Sequence, residues 1–339
     1  MRSAPFRPFI LLLILSGFVT TAWPWGNEGH SAINRVAAEK LPADVPAFLR
    51  LAADQLAYLG PEPDRWRAQS ELALKLSQEP DHFINLERVE GMTLPPDRYS
   101  FYRELEVKRA ITPGQPDSLL PDNVGLQPYI AMEVFGRLVV AFREYRRALR
   151  DHHDQRFAES NAIFYAGWLG HYVGDAANPL HTTIHHNGWI GPNPNGYTTA
   201  NTIHWKMEGT FVAANPQLLH FADLVPATPR VLADPFHDYL AFLRSSHQYV
   251  EKVYQLEKAG GFDGPGTPDS REFIRQRLAA GAQMLRDLWY TAWIQSGQES
   301  SPATPAKPSV KPPAANPKQP MHNAPQLAPP AEQPSSGAR

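Results

Sequence analysis

Gly167-Trp168-Leu169-Gly170-His171-Tyr172-Val173-Gly174-Asp175-Ala176-Ala177-Asn178-Pro179-Leu180-His181 decides how the rest of the chain is read. His171 and Asp175 are four residues apart, a spacing that places an imidazole and a carboxylate one above the other on one face of a helix. Pro179 cannot continue that helix and pushes the residue before it toward extended backbone. His181 therefore falls just past the helix end, where the chain can fold back over the same face. Two imidazoles and a carboxylate converging at a helix terminus suit a first-row metal such as zinc. A His and an Asp at this spacing also suit a plain surface hydrogen bond, so the segment alone leaves the choice open.

Outward from this stretch the patterning is helical. Residues 157–173, rich in apolar and small side chains, predict a central buried helix. Residues 127–149 predict a long amphipathic helix with Ile130, Val134, Leu138, Phe142 and Tyr145 on one side. Arg137, Arg143, Arg146 and Arg147 mostly fall on the other, read as a solvated face. Toward the N-terminus, Ala32, Ile33, Val36, Ala37 and Leu41 recur at helical spacing, so that His30 opens a helix. Residues 46–58 and 66–76 are shorter helical stretches. Between them Gly60-Pro61-Glu62-Pro63-Asp64 is a breaker-rich loop presenting Asp64. Glu79-Pro80-Asp81-His82-Phe83-Ile84-Asn85 is a second Pro-broken turn, presenting His82 and Phe83. Residues 86–120 hold several prolines and predict loop with one helix near 98–107. Past the opening stretch, residues 187–201 are rich in Gly, Pro and Asn and predict a long loop of the kind that lines a site. His204-Trp205-Lys206-Met207-Glu208 repeats the imidazole and carboxylate pair four apart. Residues 231–256 and 270–293 predict two more long helices. No alternating strand pattern is found, and the expected fold class is all-α, a multi-helix bundle with long irregular loops.

Composition narrows the function classes. The chain has 339 residues, a formal net charge of -2 and no cysteine. That charge supplies no global basic field to recruit nucleic acid. The lack of Cys obliges any zinc site to use His, Asp and Glu, the ligands of catalytic rather than zinc-finger sites. The start Met1-Arg2-Ser3-Ala4-Pro5-Phe6-Arg7, an apolar run to Val19 and then Thr20-Thr21-Ala22 describe a secretory signal peptide over residues 1–22, with cleavage as late as residue 24 allowed. The expected destination is secreted or periplasmic. Residues 300–339, mostly Pro, Ala, Gln, Ser and Lys, predict a disordered tail. A single domain is expected over 23–299.

The candidates that could converge are His30, Asp64, His82, His171, Asp175, His181, His204 and Glu208, a set too rich for one tetrahedral zinc. Here the chain resembles the zinc-dependent phospholipase C and S1/P1 nuclease superfamily. Trp25-Gly26 followed by Gly29-His30 resembles the mature N-terminus of the nucleases. His171, Asp175 and Asn178-Pro179-Leu180-His181 resemble the family's ligand segment, with Asn178 where Gln is usual. His204 and Glu208 match the last ligand pair. The resemblance implies a phospholipase C/P1 nuclease-like bundle and three Zn2+ ions per chain. Asp64, His82, His171 and Asp175 would hold the first, and His181, His204 and Glu208 the second. Main-chain atoms of Trp25 and the imidazole of His30 would hold the third, with Asp175 bridging. Two departures stand out. Cleavage after Ala22 would leave Trp23-Pro24 ahead of Trp25, and Glu208 is the phospholipase choice where nucleases more often carry Asp.

The resemblance implies a hydrolase of phosphodiesters, with Asp64 doubling as the proton acceptor for the attacking water. The nuclease reading takes single-stranded DNA or RNA as substrate and partner, with Phe83 stacking on a base and Asn85 meeting its edge. The alternative is a phospholipase C acting on phospholipid head groups, which Glu208 and the run from Gly196-Tyr197 through His204 to Val212 resemble. A non-catalytic envelope protein with structural zinc is a third reading. The nuclease reading is the expectation carried forward, and no stable protein partner is predicted. Trp168 and Tyr172 are expected to pack in the core, His152 and His153 to lie at the surface, and the roles of His185, His186 and Trp205 stay open.

Overall fold

The computed structural model describes residues 25–112, 114 and 116–298. The expected signal peptide and the expected tail lie outside the described residues. Among the described residues nine longer helices carry the architecture: α1 Gly26–Glu39, α2 Ala53–Leu59, α3 Leu72–Gln78, α4 Arg98–Ile111, α5 Gln127–Arg150, α6 Arg156–Ala177, α7 Pro235–His247, α8 Val250–Lys258 and α9 Pro268–Ser296. Among the described residues every regular element is helical, as expected, and no helix is long and apolar enough to cross a membrane.

The layout follows from α6. From Leu169 to Ala177 every residue is buried, so this part of the helix has no solvent face and must be surrounded. Helices α1, α2, α5 and α9 surround it. Small residues make that possible. A β-carbon on Gly170 would lie 1.7 Å from Oδ1 of Asn34 on α1, and one on Gly167 would lie 2.4 Å from Cβ of Leu59 on α2. The close approach is locked by Asn34, whose Nδ2 donates to the carbonyls of Leu56 and Gly167 at 2.8 and 3.0 Å. On the other flank α5 buries Ile130, Val134, Leu138 and Phe142 against the core.

Several boundaries differ from the sequence reading. Helix α1 begins at Gly26, one turn before His30, so His30 lies inside the helix and is fully buried. The stretch 46–58 is split at Ala52 into Ala47–Leu51 and α2. Asp64 sits in a one-turn helix, Glu62–Arg65, because proline is tolerated in a first turn. The stretch 231–256 is two helices, α7 and α8, broken at residues 248–249. Arg146 departs from its solvated face: it stacks over the Trp293 ring at 3.3 Å and donates to the Trp293 carbonyl at 3.0 Å, pinning the end of α9. Trp168 packs edge-on against Trp66, and Tyr172 is buried, the core roles expected of both.

Candidate metal centre

Five separate segments deliver polar side chains to one place beside the C-terminal end of α6. Helix α6 supplies His171 and Asp175 from successive turns, both fully buried. Asn178 then caps the following 3-10 turn Pro179–Thr182, its side-chain oxygen accepting from the Leu180 amide at 2.9 Å, and this turn carries His181. Helix α1 supplies His30. The turn Glu62–Arg65 supplies Asp64, and the 3-10 turn Glu79–His82 supplies His82. His204 and Glu208 come from a short helix that widens into a π-helical turn, Lys206–Phe211. The Trp205 ring lies over Gly209, where a β-carbon would be 2.2 Å from it.

Asp175 is the hub. Its Oδ1 lies 3.4 Å from His30 Nε2 and 3.6 Å from His181 Nε2. Its Oδ2 lies 3.1 Å from His82 Nδ1 and 3.3 Å from His171 Nε2. Asp64 Oδ1 lies 3.9 Å from both His82 Nδ1 and His171 Nε2 and accepts from Arg67 at 3.1 Å. On the outer side Glu208 faces His204 Nε2 at 2.9 Å and His181 Nε2 at 3.7 Å. Glu208 also accepts a short hydrogen bond from Asn178 Nδ2. Trp25 is fully buried, its indole N–H donating to the Gly174 carbonyl at 2.8 Å, while its own carbonyl accepts from the Gly29 amide at 3.1 Å. The segment ahead of Trp25, on which its main-chain role depends, lies outside the described residues.

The donor set fits metal ions by its leftover groups. Both ring nitrogens of His30, Nε2 of His82, Nε2 of His181, Oδ2 of Asp64 and Oδ1 of Asp175 are buried without a hydrogen-bond partner. Buried polar atoms are nearly always paired, so a concentration of orphans at one spot asks for a missing partner. Two rings are held from behind in the manner of metal-bound imidazoles: His171 Nδ1 donates to the Gly60 carbonyl at 2.9 Å and His181 Nδ1 to the His82 carbonyl at 2.7 Å. This leaves each Nε2 lone pair facing the cluster. Among the described residues three groups could each hold an ion: His30 with Asp64 and His171, His82 with His171 and Asp175, and His181 with His204 and Glu208. The first two share His171, so their allocation differs from the expected one, in which Asp64, His82, His171 and Asp175 act together and His30 stands apart.

Electrostatics divide the centre. Burial lowers the pKa of His30 and takes His82 down to about 3, and burial raises Asp64. At His171 and His181 the effect of burial is outweighed by the carboxylates. Asp175 and Asp64 raise His171, and Asp175 and Glu208 bring His181 to about 9. Burial would likewise raise Asp175 and Glu208. Instead His181 and His171 hold Asp175 well below the usual carboxylate range, and His204 and His181 hold Glu208 at about 2.

The centre opens into a cleft of about 550 Å³. Phe83 and Asn85 line it, with His82, His181, His204 and Glu208 at its floor. Phe83 is half-buried and its ring faces His186 at 6.3 Å. Asn85 donates its side-chain amide to the Asn123 carbonyl at 2.8 Å, leaving Oδ1 without a partner. Sequence reasoning did not single out Arg67, Glu79, Asp122 and Asn201, which line the same cleft, and it left His186 and Trp205 open. Arg67 had a signal, its spacing of three from Asp64, but the patterning puts Asp64 in a breaker-rich loop and Arg67 in the helical stretch after it, so the pair is not connected.

No family model matches the chain, and no curated protein matches it. Among solved structures the chain is similar to the alpha-toxin of Clostridium perfringens from avian strain SWCP, at 16% identity and a TM-score of 0.43, over 81% of this chain and 65% of the toxin. It thus spans less than two thirds of the toxin's length. The single-stranded nucleic acid expected as partner is corrected: the matching structure is that of a toxin, and nucleic acid is not retained as the partner.

Proposed function

We propose that this chain is a zinc-dependent phosphodiester hydrolase of the phospholipase C type, acting on the head-group esters of phospholipids. One observation carries the hydrolase reading: imidazoles and carboxylates from five segments converge on one centre, and buried nitrogens of His30, His82 and His181 there have no hydrogen-bond partner. The lipid reading rests on Glu208 and on the run from Gly196 to Val212, which resemble the phospholipase version of that segment. On this reading the residues hold Zn2+ in the allocation the resemblance implies: Asp64, His82, His171 and Asp175 one ion, His181, His204 and Glu208 a second, and Trp25 with His30 a third, His171 lying close enough to His30 to be shared. Zinc held there supplies Lewis-acid charge for the phosphate oxygens and acidifies a water to near neutrality.

The chain's own residues then do the following. Asp175 faces four imidazoles, those of His30, His82, His171 and His181, and orients them toward one point. The carbonyls of Gly60 and His82 fix the tautomers of His171 and His181. Arg67 engages Asp64 Oδ1 and leaves Oδ2 as a buried acceptor for the proton of the attacking water. Phe83 and His186 wall the cleft beside the reacting phosphate.

The test is release of phosphocholine from phosphatidylcholine by the zinc-loaded chain, with and without chelator, beside Asp64→Asn. Cleavage abolished by chelation, restored by zinc and reduced at least about a hundredfold in a metal-replete Asp64→Asn agrees with the reading. Undiminished cleavage in chelator removes the metal assignment, and full activity in Asp64→Asn removes the acceptor role.

A further inference from the structure

Helix α3 is anomalous. None of its seven residues is buried, yet it carries Leu72, Leu74 and Leu76, which are 55%, 42% and 59% exposed. A helix this short has little intrinsic stability, and helices in proteins are normally held by an apolar face packed on the core. Here α3 has no such face. Leu72 and Leu76, four apart, share one face of this helix and Leu74 projects from the opposite side; the shared face is the kind of exposed apolar patch that marks an interaction site.

Its position says what it meets. The excursion that carries α3 leaves the body at Arg67 and returns at Glu79, and both of these residues line the cleft over the metal centre. Lys75 ties it down by pairing with Glu79 at 3.5 Å. The loop 188–200 has the same plan. It leaves at Asn187 and returns at Asn201, again cleft-lining residues, and carries Ile190 at 56% exposure. Two segments that start and end at the polar cleft thus carry exposed aliphatic side chains. A substrate whose diester must reach the cleft floor while its acyl chains stay out of water matches that arrangement.

We infer that α3, with Ile190, is a docking surface that seats the mouth of the cleft on a phospholipid bilayer. The inference rests on the lipid reading of the site above. Leu72 and Leu76 enter the apolar edge of the bilayer and the cleft receives a head group from the surface beneath.

The zinc-loaded full chain tests this. Turnover of dihexanoyl phosphatidylcholine below its critical micelle concentration is compared with turnover of dioleoyl phosphatidylcholine vesicles, for wild type and for L72S/L74S/L76S. The exposed leucines are outside the metal centre, so monomer turnover should stay within about twofold. Vesicle turnover should fall at least about tenfold. In parallel, Leu76→Cys gives the otherwise cysteine-free chain a single thiol for a polarity-sensitive dye. Its emission should shift to the blue when dioleoyl phosphatidylcholine vesicles are added. Unchanged vesicle turnover in the triple variant overturns the inference. So does a blue shift that follows protein concentration without lipid, which assigns the patch to a second copy of this chain. If wild type cleaves neither monomer nor vesicle, the lipid reading of the site fails, and the dye still decides whether α3 meets a bilayer.

Discussion

Asn178 touches both halves of the outer ion group. Its side-chain oxygen caps the turn that carries His181, and its amide donates to Glu208 Oε2. One residue therefore sets the distance between a turn and a helix that otherwise share no covalent constraint. Outer partners of this kind typically contribute ten- to a hundredfold to metal affinity. On the proposed ligation, Asn178→Ala should weaken one of the bound zinc ions by about that factor and leave the others unchanged, read by competition with a chromophoric chelator. Asn178→Asp should be worse, because it sets a second carboxylate against Glu208 in place of a donor. Equal affinity for all ions in both variants would show that Glu208 is oriented without Asn178.

At the scale of elements, α6 does two jobs with one run of small residues. Gly170 admits Asn34, and Gly174 admits His30, whose Nδ1 would lie 2.7 Å from a β-carbon there. Gly174 also offers its carbonyl to the Trp25 indole. Overpacking a filled interior costs about 1–3 kcal/mol. Gly174→Ala should therefore displace His30, so that the variant loses about one zinc by elemental analysis while its helicity by circular dichroism stays near wild type. Retention of every ion would mean that His30 has room to move. Much of this element was legible in the sequence, because the dense small and apolar residues of 157–173 and the breaker at Pro179 are local signals. So were the His171–Asp175 and His204–Glu208 pairs, whose spacing of four survives in the fold. The start of α1 at Gly26 was not legible, since it depends on burying Trp25 against α6. Nor was the π-helical turn at Lys206–Phe211, which accompanies the packing of Trp205 over Gly209. The break between α7 and α8 also lacks a proline or glycine to announce it. The exposure of α3 was hidden for a different reason: 66–76 reads as an ordinary helical stretch, and only the fold shows that no core lies beneath its leucines.

For the molecule as a whole, the helical scaffold encloses a cluster of charges that hydrophobic packing cannot satisfy. Isolated buried charges are costly, and orphaned imidazole and carboxylate atoms add to that cost. The fold is therefore expected to lean on its ions, each of which stabilises the native state by mass action, about 4 kcal/mol at a thousandfold excess over its Kd. Removing zinc with a chelator should lower the midpoint of thermal unfolding by at least about 10 °C, since 1 kcal/mol moves a chain of this size by roughly 2–4 °C. The chelated protein should also carry a definite pH signature from the pair His181 and Glu208. The pKa of His181 is raised from 6.5 to about 9, so its contribution to stability is full below 6.5 and lost as pH rises through 9. The pKa of Glu208 is depressed from 4.5 to about 2, so its contribution is full above 4.5 and lost as pH falls through 2. Both contributions are present together between 4.5 and 6.5, and the chelated protein should be most stable there. Zinc binding needs the imidazoles deprotonated, so the zinc-loaded protein should gain most over the chelated one on the alkaline side, toward pH 9. Calorimetric scans from pH 4 to 9, with and without chelator, check both limbs. A midpoint indifferent to chelation, or a gap between the two forms that narrows as pH rises from 6.5 to 9, would mean that the cluster around Asp175 is stabilised by its own hydrogen bonds and not by metal.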